Sequence, residues 1–443
     1  MTPMSYRSVP EATSAMPSGI PFIIGNEAAE RFSFYGMKAI LFTFMTRHML
    51  DAAGAPDRLT EPEAKAFIHT FVAALYALPI LGAIAADGWL GKYRVILALS
   101  VVYCAGHAIL AVNTTQAGLI AGLAVLAIGA GGIKPCVSAH VGDQFGQQNA
   151  HLVTRAFAFF YLSINVGAAI AQNLVPWLLE EHGPHAAFGL PGVLMVIATF
   201  VFWLGRHRFA HIPPGGKEFV KEALGAEGLR VFGRLALLFT FVALFWTLFD
   251  QTASSWVAQG QRMELHGREW LAASMQSANP IFVLLLTPLF ALYVYPAIER
   301  RFSLTPMRKI GIGMVLAALS FLYSAGLEAV LDMGVRPTIF WQLIGYGFLT
   351  AGELLVSVTA LEYAYTQAPL RMKSMVMSLY LASAALGNLF TVGVTRLTTD
   401  EAGHATLRTW QSFVLYAGLM LLATLLFVPY ARRVREHSYL PNP

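Results

Sequence analysis

Residues 20–49 read IPFIIGNEAAERFSFYGMKAILFTFMTRHM, an apolar run of membrane-crossing length interrupted by Glu27, Glu30, Arg31 and Lys38. A charge at a helix centre costs roughly 2.5–3.5 kcal/mol even on the lenient insertion scale. Charges carried at that cost face a water-filled path or partners on other helices. At about 100° per residue, Glu27, Arg31 and Lys38 fall within about 40° of one another, with Glu30 and Tyr35 flanking them. The segment is therefore a spanning helix with one polar stripe.

The rest of the chain supports that reading. Of 443 residues 56% are hydrophobic and 12% charged, with a mean hydropathy of +0.57. Soluble domains carry about 25% charged residues, so the composition implies a polytopic membrane protein embedded in a lipid bilayer. Residues 1–19 are polar and Pro-containing and show no cleavable signal pattern. The net charge of +5 is an orientation signal and calls for no nucleic-acid partner. Cys104 and Cys136 lie in apolar helices without CxxC spacing, so no disulfide, metal site or cofactor is implied.

Apolar stretches of about 20 residues predict an all-α fold of about twelve spans, at 20–48, 64–90, 93–112, 116–139, 152–180, 186–205, 231–259, 270–297, 307–331, 337–365, 371–397 and 408–430. The polar connector 206–230, with Pro213-Pro214-Gly215-Gly216, divides an N-terminal bundle (1–205) from a C-terminal one (231–443). With both termini cytoplasmic, about eighteen Lys and Arg fall inside and about eight outside, Lys92, Arg94, Lys217, Lys221, Arg300, Arg301 and Arg435 among the inner set. Six plus six helices around a cytoplasmic connector is the layout of a major facilitator fold in the plasma (inner) membrane.

The intramembrane polar residues define a candidate site. Beyond the first span they are His69, Tyr76, Lys134, Asn165, Trp246, Asp250, Asn279, Glu353 and Glu362. Lys134 follows Gly129-Ala130-Gly131-Gly132 and precedes Pro135, a run that permits close helix approach and frees a backbone carbonyl. The bases Arg31, Lys38 and Lys134 belong to the first half, the acids Asp250 and Glu353 to the second. That division suits a zwitterion, and buried carboxylates can carry protons. Bland readings compete at several positions. His69 near a helix start can be interfacial, Trp246 can be packing, and Asp87 with Gly88, Gly91 and Lys92 can be loop geometry; His107 and His140 read as structural.

Five segments in order resemble the proton-dependent oligopeptide transporter (POT) family. They are Asn26 to Gly36 in the first span; His69 to Ala73 with Tyr76, Pro79 to Gly82 and Ala86 to Lys92 in the second; Gly131 to Pro135 with Asp143-Gln144-Phe145; Phe160 to Gly167; and Gly352-Glu353 with Leu361 to Pro369 and Met372-Lys373-Ser374. The second-span histidine is similar to that of the animal members. The resemblance implies a proton-coupled symporter importing di- and tripeptides by alternating access, with protons as the coupling ion and no other cofactor, functional as a monomer. It implies that Arg31, Lys38 and Lys134 hold the peptide carboxylate, that Asn165, Asn279 and Glu353, with Ser357 a turn away, hold its amino end, and that Tyr35, Tyr76 and Trp246 line the pocket. Glu27, Glu30, His69 and Asp250, with Glu353, are the implied proton-coupling groups.

Departures are visible too. Lys38 stands where many members have Arg, which removes a bidentate fork. Tyr380 replaces a usual Trp, and Ala291 stands where animal members place an acid near the residue matching Arg234. The connector is too short for the two extra helices of many bacterial members. A second transport reading is another small zwitterion or anion, such as a peptide-like drug or nitrate. An intramembrane enzyme or a sensor finds no HExxH, no serine–histidine motif and no large soluble domain in support.

Overall fold

The protein is described from a computed structural model covering residues 6–216, 225–366 and 373–434. Lys217 and Lys221 of the connector, Gln367 to Met372 of the last quoted motif, and Arg435 lie outside the described residues. So do the side chains of Arg234, Tyr365, Lys373 and Ser374.

Among the described residues every regular element is helical, apart from three isolated bridges. Ten segments are long and apolar enough to cross a membrane. The first helix, α1 (Ile20–Thr43), stands outside that set because its four charges interrupt it. One of the ten, Gln147–His207, holds two spans folded at Gly183, so the total is twelve. The others are α2 (Glu61–Leu90), α3 (Lys92–Val112), α4 (Gln116–Gly142), α5 (153–182), α6 (184–204), α7 (Ala226–Phe249, extended by Ser255–Gln261), α8 (Leu271–Glu299), α9 (Pro306–Asp332), α10 (Ile339–Ala364), α11 (Lys373–Leu397) and α12 (Thr409–Arg433). The expected loop between the fifth and sixth spans is only a sharp turn. Gly183 takes φ +80°, a backbone conformation that favours glycine, and Pro184 follows as a ring-fixed helix start.

The helices fall into two compact units. The first is Met1–Lys38, Leu50–Asp57 and Ala74–Arg230; the second is Ala39–Met49, Arg58–Ala73 and Val231–Pro443. The second half of α1 and the first half of α2 thus cluster with the C-terminal helices.

Lipid offers little hydrophobic driving force between helices, so close backbone approach through small residues matters more. In the first unit a Cβ on Gly82 would meet Gly132 Cα at 2.5 Å, which places α2 against α4 immediately before Lys134. A Cβ on Gly167 would meet the Ala28 carbonyl at 2.7 Å, setting α5 against α1 beside the polar stripe. In the second unit Gly387 does the same for α11 against α7, where its Cβ would collide with Ala243 O. Thr247 seals that crossing by donating to Gly387 O at 3.0 Å. The second unit's core is aromatic, with Phe245, Trp256, Phe321, Tyr346 and Tyr416 almost fully buried. Leu285, Leu292 and Leu425 point outward, as side chains facing acyl chains do.

Candidate functional site

Several of the candidate side chains lie where helices are irregular. Pro79 interrupts α2 three residues after Tyr76, and Pro135 lies inside α4 directly after Lys134. In α7 the regular helix ends at Phe249, and Asp250 opens a 3-10 turn. Asn279 follows the 3-10 turn Met275–Ser277 of α8. Glu353 ends the α-helical part of α10, and the π-helical turn Leu354–Val358 carries Ser357. Pro rings and misfitting turns release backbone groups from the regular ladder, and such bulges are frequent at functional sites.

In the first unit the α1 stripe is a buried ion cluster. Arg31 Nε donates to Glu27 Oε1 at 2.7 Å and lies 3.2 Å from Glu30 Oε2. Both carboxylates are 1% exposed. Two acids share one guanidinium nitrogen, and Glu27 Oε2 and both Glu30 oxygens have no hydrogen-bond partner. Lys134, also buried, lies with Nζ 4.1 Å from the Phe34 ring centroid and 5.7 Å from that of Tyr76. Its charge therefore rests on aromatic faces, with no carboxylate in ion-pair reach among the described residues. Lys38 is buried on the same helix as the cluster, as is Tyr35 in part. Asn165 is buried on α5 and donates to its own helix at Tyr161 O, 3.0 Å. The unit brings together Glu27, Glu30 and Arg31 tightly, and Lys134 with Tyr76.

The sequence reading missed what lies behind that cluster. Asn26, Ser100, Tyr103 and His107 are buried, and all carry polar side-chain atoms without a hydrogen-bond partner. Tyr103 is within electrostatic range of Glu30, Arg31 and Glu27, and its ring lies 4.9 Å from His107.

The second unit holds the remaining candidates in two groups. Asn279 Nδ2 donates to Glu353 Oε2 at 2.6 Å and to Thr350 Oγ1 at 3.1 Å. Ser357 and Tyr380 hydroxyls are 2.6 Å apart, and Tyr380 contacts Trp246 edge-on at 6.4 Å. The buried Trp246 Nε1 has no hydrogen-bond partner. The other group is a chain across three helices. His69 Nδ1 lies 2.6 Å from Asn388 Oδ1, His69 Nε2 lies 3.0 Å from Ser254 Oγ, and Asn388 Nδ2 donates to Asp250 Oδ2 at 2.8 Å. The amide oxygen of Asn388 only accepts, so Nδ1 carries the hydrogen. His69 and Asn388 are fully buried, which removes the interfacial reading of His69. Asn388 and Ser254 are site residues the sequence reading did not name; a polar amide directly after Gly387 in an apolar helix was the available signal. Glu362 is exposed and joins neither group.

Twelve spanning helices among the described residues, with charges buried inside them, define a polytopic membrane protein of the major facilitator fold. The chain belongs to the POT family, which matches it over residues 93–226 and 222–411. Peptide transporter family 1 of Drosophila melanogaster is 33% identical over 365 residues, covering 71% of this chain and 48% of that protein. Human solute carrier family 15 member 1 is 33% identical over 380 residues, covering 71% and 52%. The chain spans about half the length of these animal relatives. Among solved structures, an auto inhibited POT family peptide transporter is 35% identical with a TM-score of 0.86, covering 96% of this chain and 99% of that one. The POT family transporter PepTSo is 36% identical with a TM-score of 0.86, covering 94% and 98%.

Proposed function

We propose that the protein is a proton-coupled symporter that imports di- and tripeptides by alternating access. It works as a monomer in the inner membrane with both termini cytoplasmic, and uses protons as its coupling ion. The observation that carries this reading is Arg31, held by Glu27 and Glu30 in a nearly closed environment beside a Lys134 that has no acid partner. A proton arriving on Glu27 or Glu30 removes one claim on the guanidinium and leaves it available to a substrate carboxylate. Proton and substrate then draw on the same charge, which is the chemical requirement for coupling. The orphaned carboxylate oxygens are where such a proton finds room.

The first unit supplies cations for a carboxylate, and the second supplies Glu353, oriented by Asn279, for an ammonium. A short peptide is a zwitterion that carries a group for each, and the Drosophila melanogaster relative is named a peptide transporter. Tyr35, Tyr76 and Trp246 offer amphipathic faces to peptide backbone and side chains. His69, Asn388, Asp250 and Ser254 form a second place where a proton changes hydrogen bonding.

Reconstituted vesicles with an inward proton gradient should accumulate labelled dialanine, and an uncoupler should abolish the accumulation. Absence of accumulation, or accumulation indifferent to the uncoupler, refutes the proposal. Competition by nitrate or peptide-like drugs, but not by dipeptides, would point to a different cargo.

A further inference from the structure

At one end of the second unit a cavity of about 90 Å³ lies between the start of α2, the extension of α7 and the junction of α11 with α12. That volume is several times the roughly 10–15 Å³ that one water needs, and well short of the roughly 300 Å³ at which drug-sized sites begin. It suits a ligand of a few heavy atoms.

Lys65 of α2 puts a cation in the wall. An ammonium carries three donors. One goes to Gln251 Oε1 at 3.0 Å, and the Tyr416 ring, also in the wall, has its centroid 4.9 Å from Nζ. Gln251 is fully buried, neutral and already committed, since its Oε1 accepts from Ser255 Oγ at 3.0 Å and its Nε2 donates to Thr247 O at 3.0 Å. Lys65 makes no ion pair among the described residues. Glu61, a turn earlier, is exposed, so water screens its charge. The half-buried ammonium thus keeps donors and positive charge for an anion.

The rest of the wall selects the anion's shape. Ser412 lies one turn before Tyr416 on α12, hence on the same helix face, and its hydroxyl has no hydrogen-bond partner among the described residues. Thr398 and Thr399 donate instead to their own helix, at Val394 O and Thr395 O. Phe42, Val394, Leu407 and Phe413 make the remaining wall apolar. A cation and a free hydroxyl beside an apolar wall fit a carboxylate with a short alkyl tail better than a hydrated inorganic ion.

We propose that this cavity binds a small aliphatic monocarboxylate, its carboxylate taken by Lys65 and Ser412 and its tail by the apolar wall. The site adjoins the chain through His69. Lys65 lies one turn before His69 on α2, and Gln251 directly follows Asp250.

The test uses the full chain in nanodiscs, which leave both faces accessible, and does not depend on transport. Saturation-transfer NMR should show saturable binding of butyrate above that to empty discs, and none of n-butylamine, which has a tail of similar length and the opposite charge. Lys65→Gln should weaken butyrate binding about tenfold, the loss of one charge-assisted contact. Ala405→Phe, at an exposed position of the wall that does not threaten folding, should weaken it by bulk while leaving Lys65 in place. Absence of saturable butyrate binding overturns the proposal, as does equal binding of butylamine or butyrate binding unchanged in either variant. Butyrate displaced by excess dialanine also overturns it, because the ligand then occupies the cations of the first unit. Butyrate retained against dialanine supports the site, even where dialanine uptake itself fails.

Discussion

Asn388 offers a direct test of the chain through His69. Replacing it with Ala strips a hydrogen bond of 2.6 Å from His69 Nδ1 and one of 2.8 Å from Asp250 Oδ2. Both groups stay buried, His69 at 0% and Asp250 at 3% exposure, so water cannot freely replace the amide. Removing one hydrogen bond from each of two buried groups costs about 0.5–1.5 kcal/mol apiece, so Asn388→Ala should destabilise by about 1–3 kcal/mol. The pair itself is read by a double-mutant cycle with His69→Ala. Interhelical hydrogen bonds in membranes average about 0.6 kcal/mol in such cycles and reach about 1.7. The short Nδ1···Oδ1 distance and the charged end of the chain place this one in the upper part, at about 1 kcal/mol. The assay is equilibrium unfolding in mixed SDS and non-ionic micelles, followed by tryptophan fluorescence. A coupling within about 0.3 kcal/mol of zero would refute the chain.

Glu27→Gln should keep peptide counterflow while losing gradient-driven uptake, because the amide still accepts from Arg31 but cannot take up a proton; concentrative uptake at the full rate would exclude Glu27 as a coupling acid. Glu353→Gln removes the charge that Asn279 orients and should lower dialanine uptake at least about tenfold, as expected for loss of a charge-assisted contact. Gly82→Ala would drive a Cβ to within 2.5 Å of Gly132 Cα, a backbone contact that no rotamer relieves. It should destabilise by about 1–3 kcal/mol, read as a lower melting temperature of the extracted protein, and an unchanged melt would contradict the crossing. His211 is held below its ordinary value by burial first. The unfolded chain therefore takes up the proton before the folded one, and stability is lost as pH falls below about 6.5. His211→Gln should show a smaller loss of thermal stability between neutral and mildly acid pH than the parent; identical pH profiles would argue against it.

Much of this protein was legible in one dimension. Hydropathy runs place spanning helices, because a bilayer demands about 20 apolar residues that satisfy their own backbone. Charges inside such runs, from Glu27 to Arg31, Lys134, Asp250 and Glu353, stood out for the same reason, since each is costly where it lies. Motif order carried the family. Other features needed the folded chain. Arg31 is held by both Glu27 and Glu30, whereas Lys134 rests on Phe34 and Tyr76; nothing in the spacing distinguishes those fates. Asn388 showed only a lone amide after Gly387, whose meaning comes from what α2 and α7 bring to it. Insertion energy is a sum over single residues, so sequence alone determines which groups are expensive to bury. Pairing depends on distances of a few ångströms across helix crossings, and only the tertiary structure decides which partner each buried charge meets.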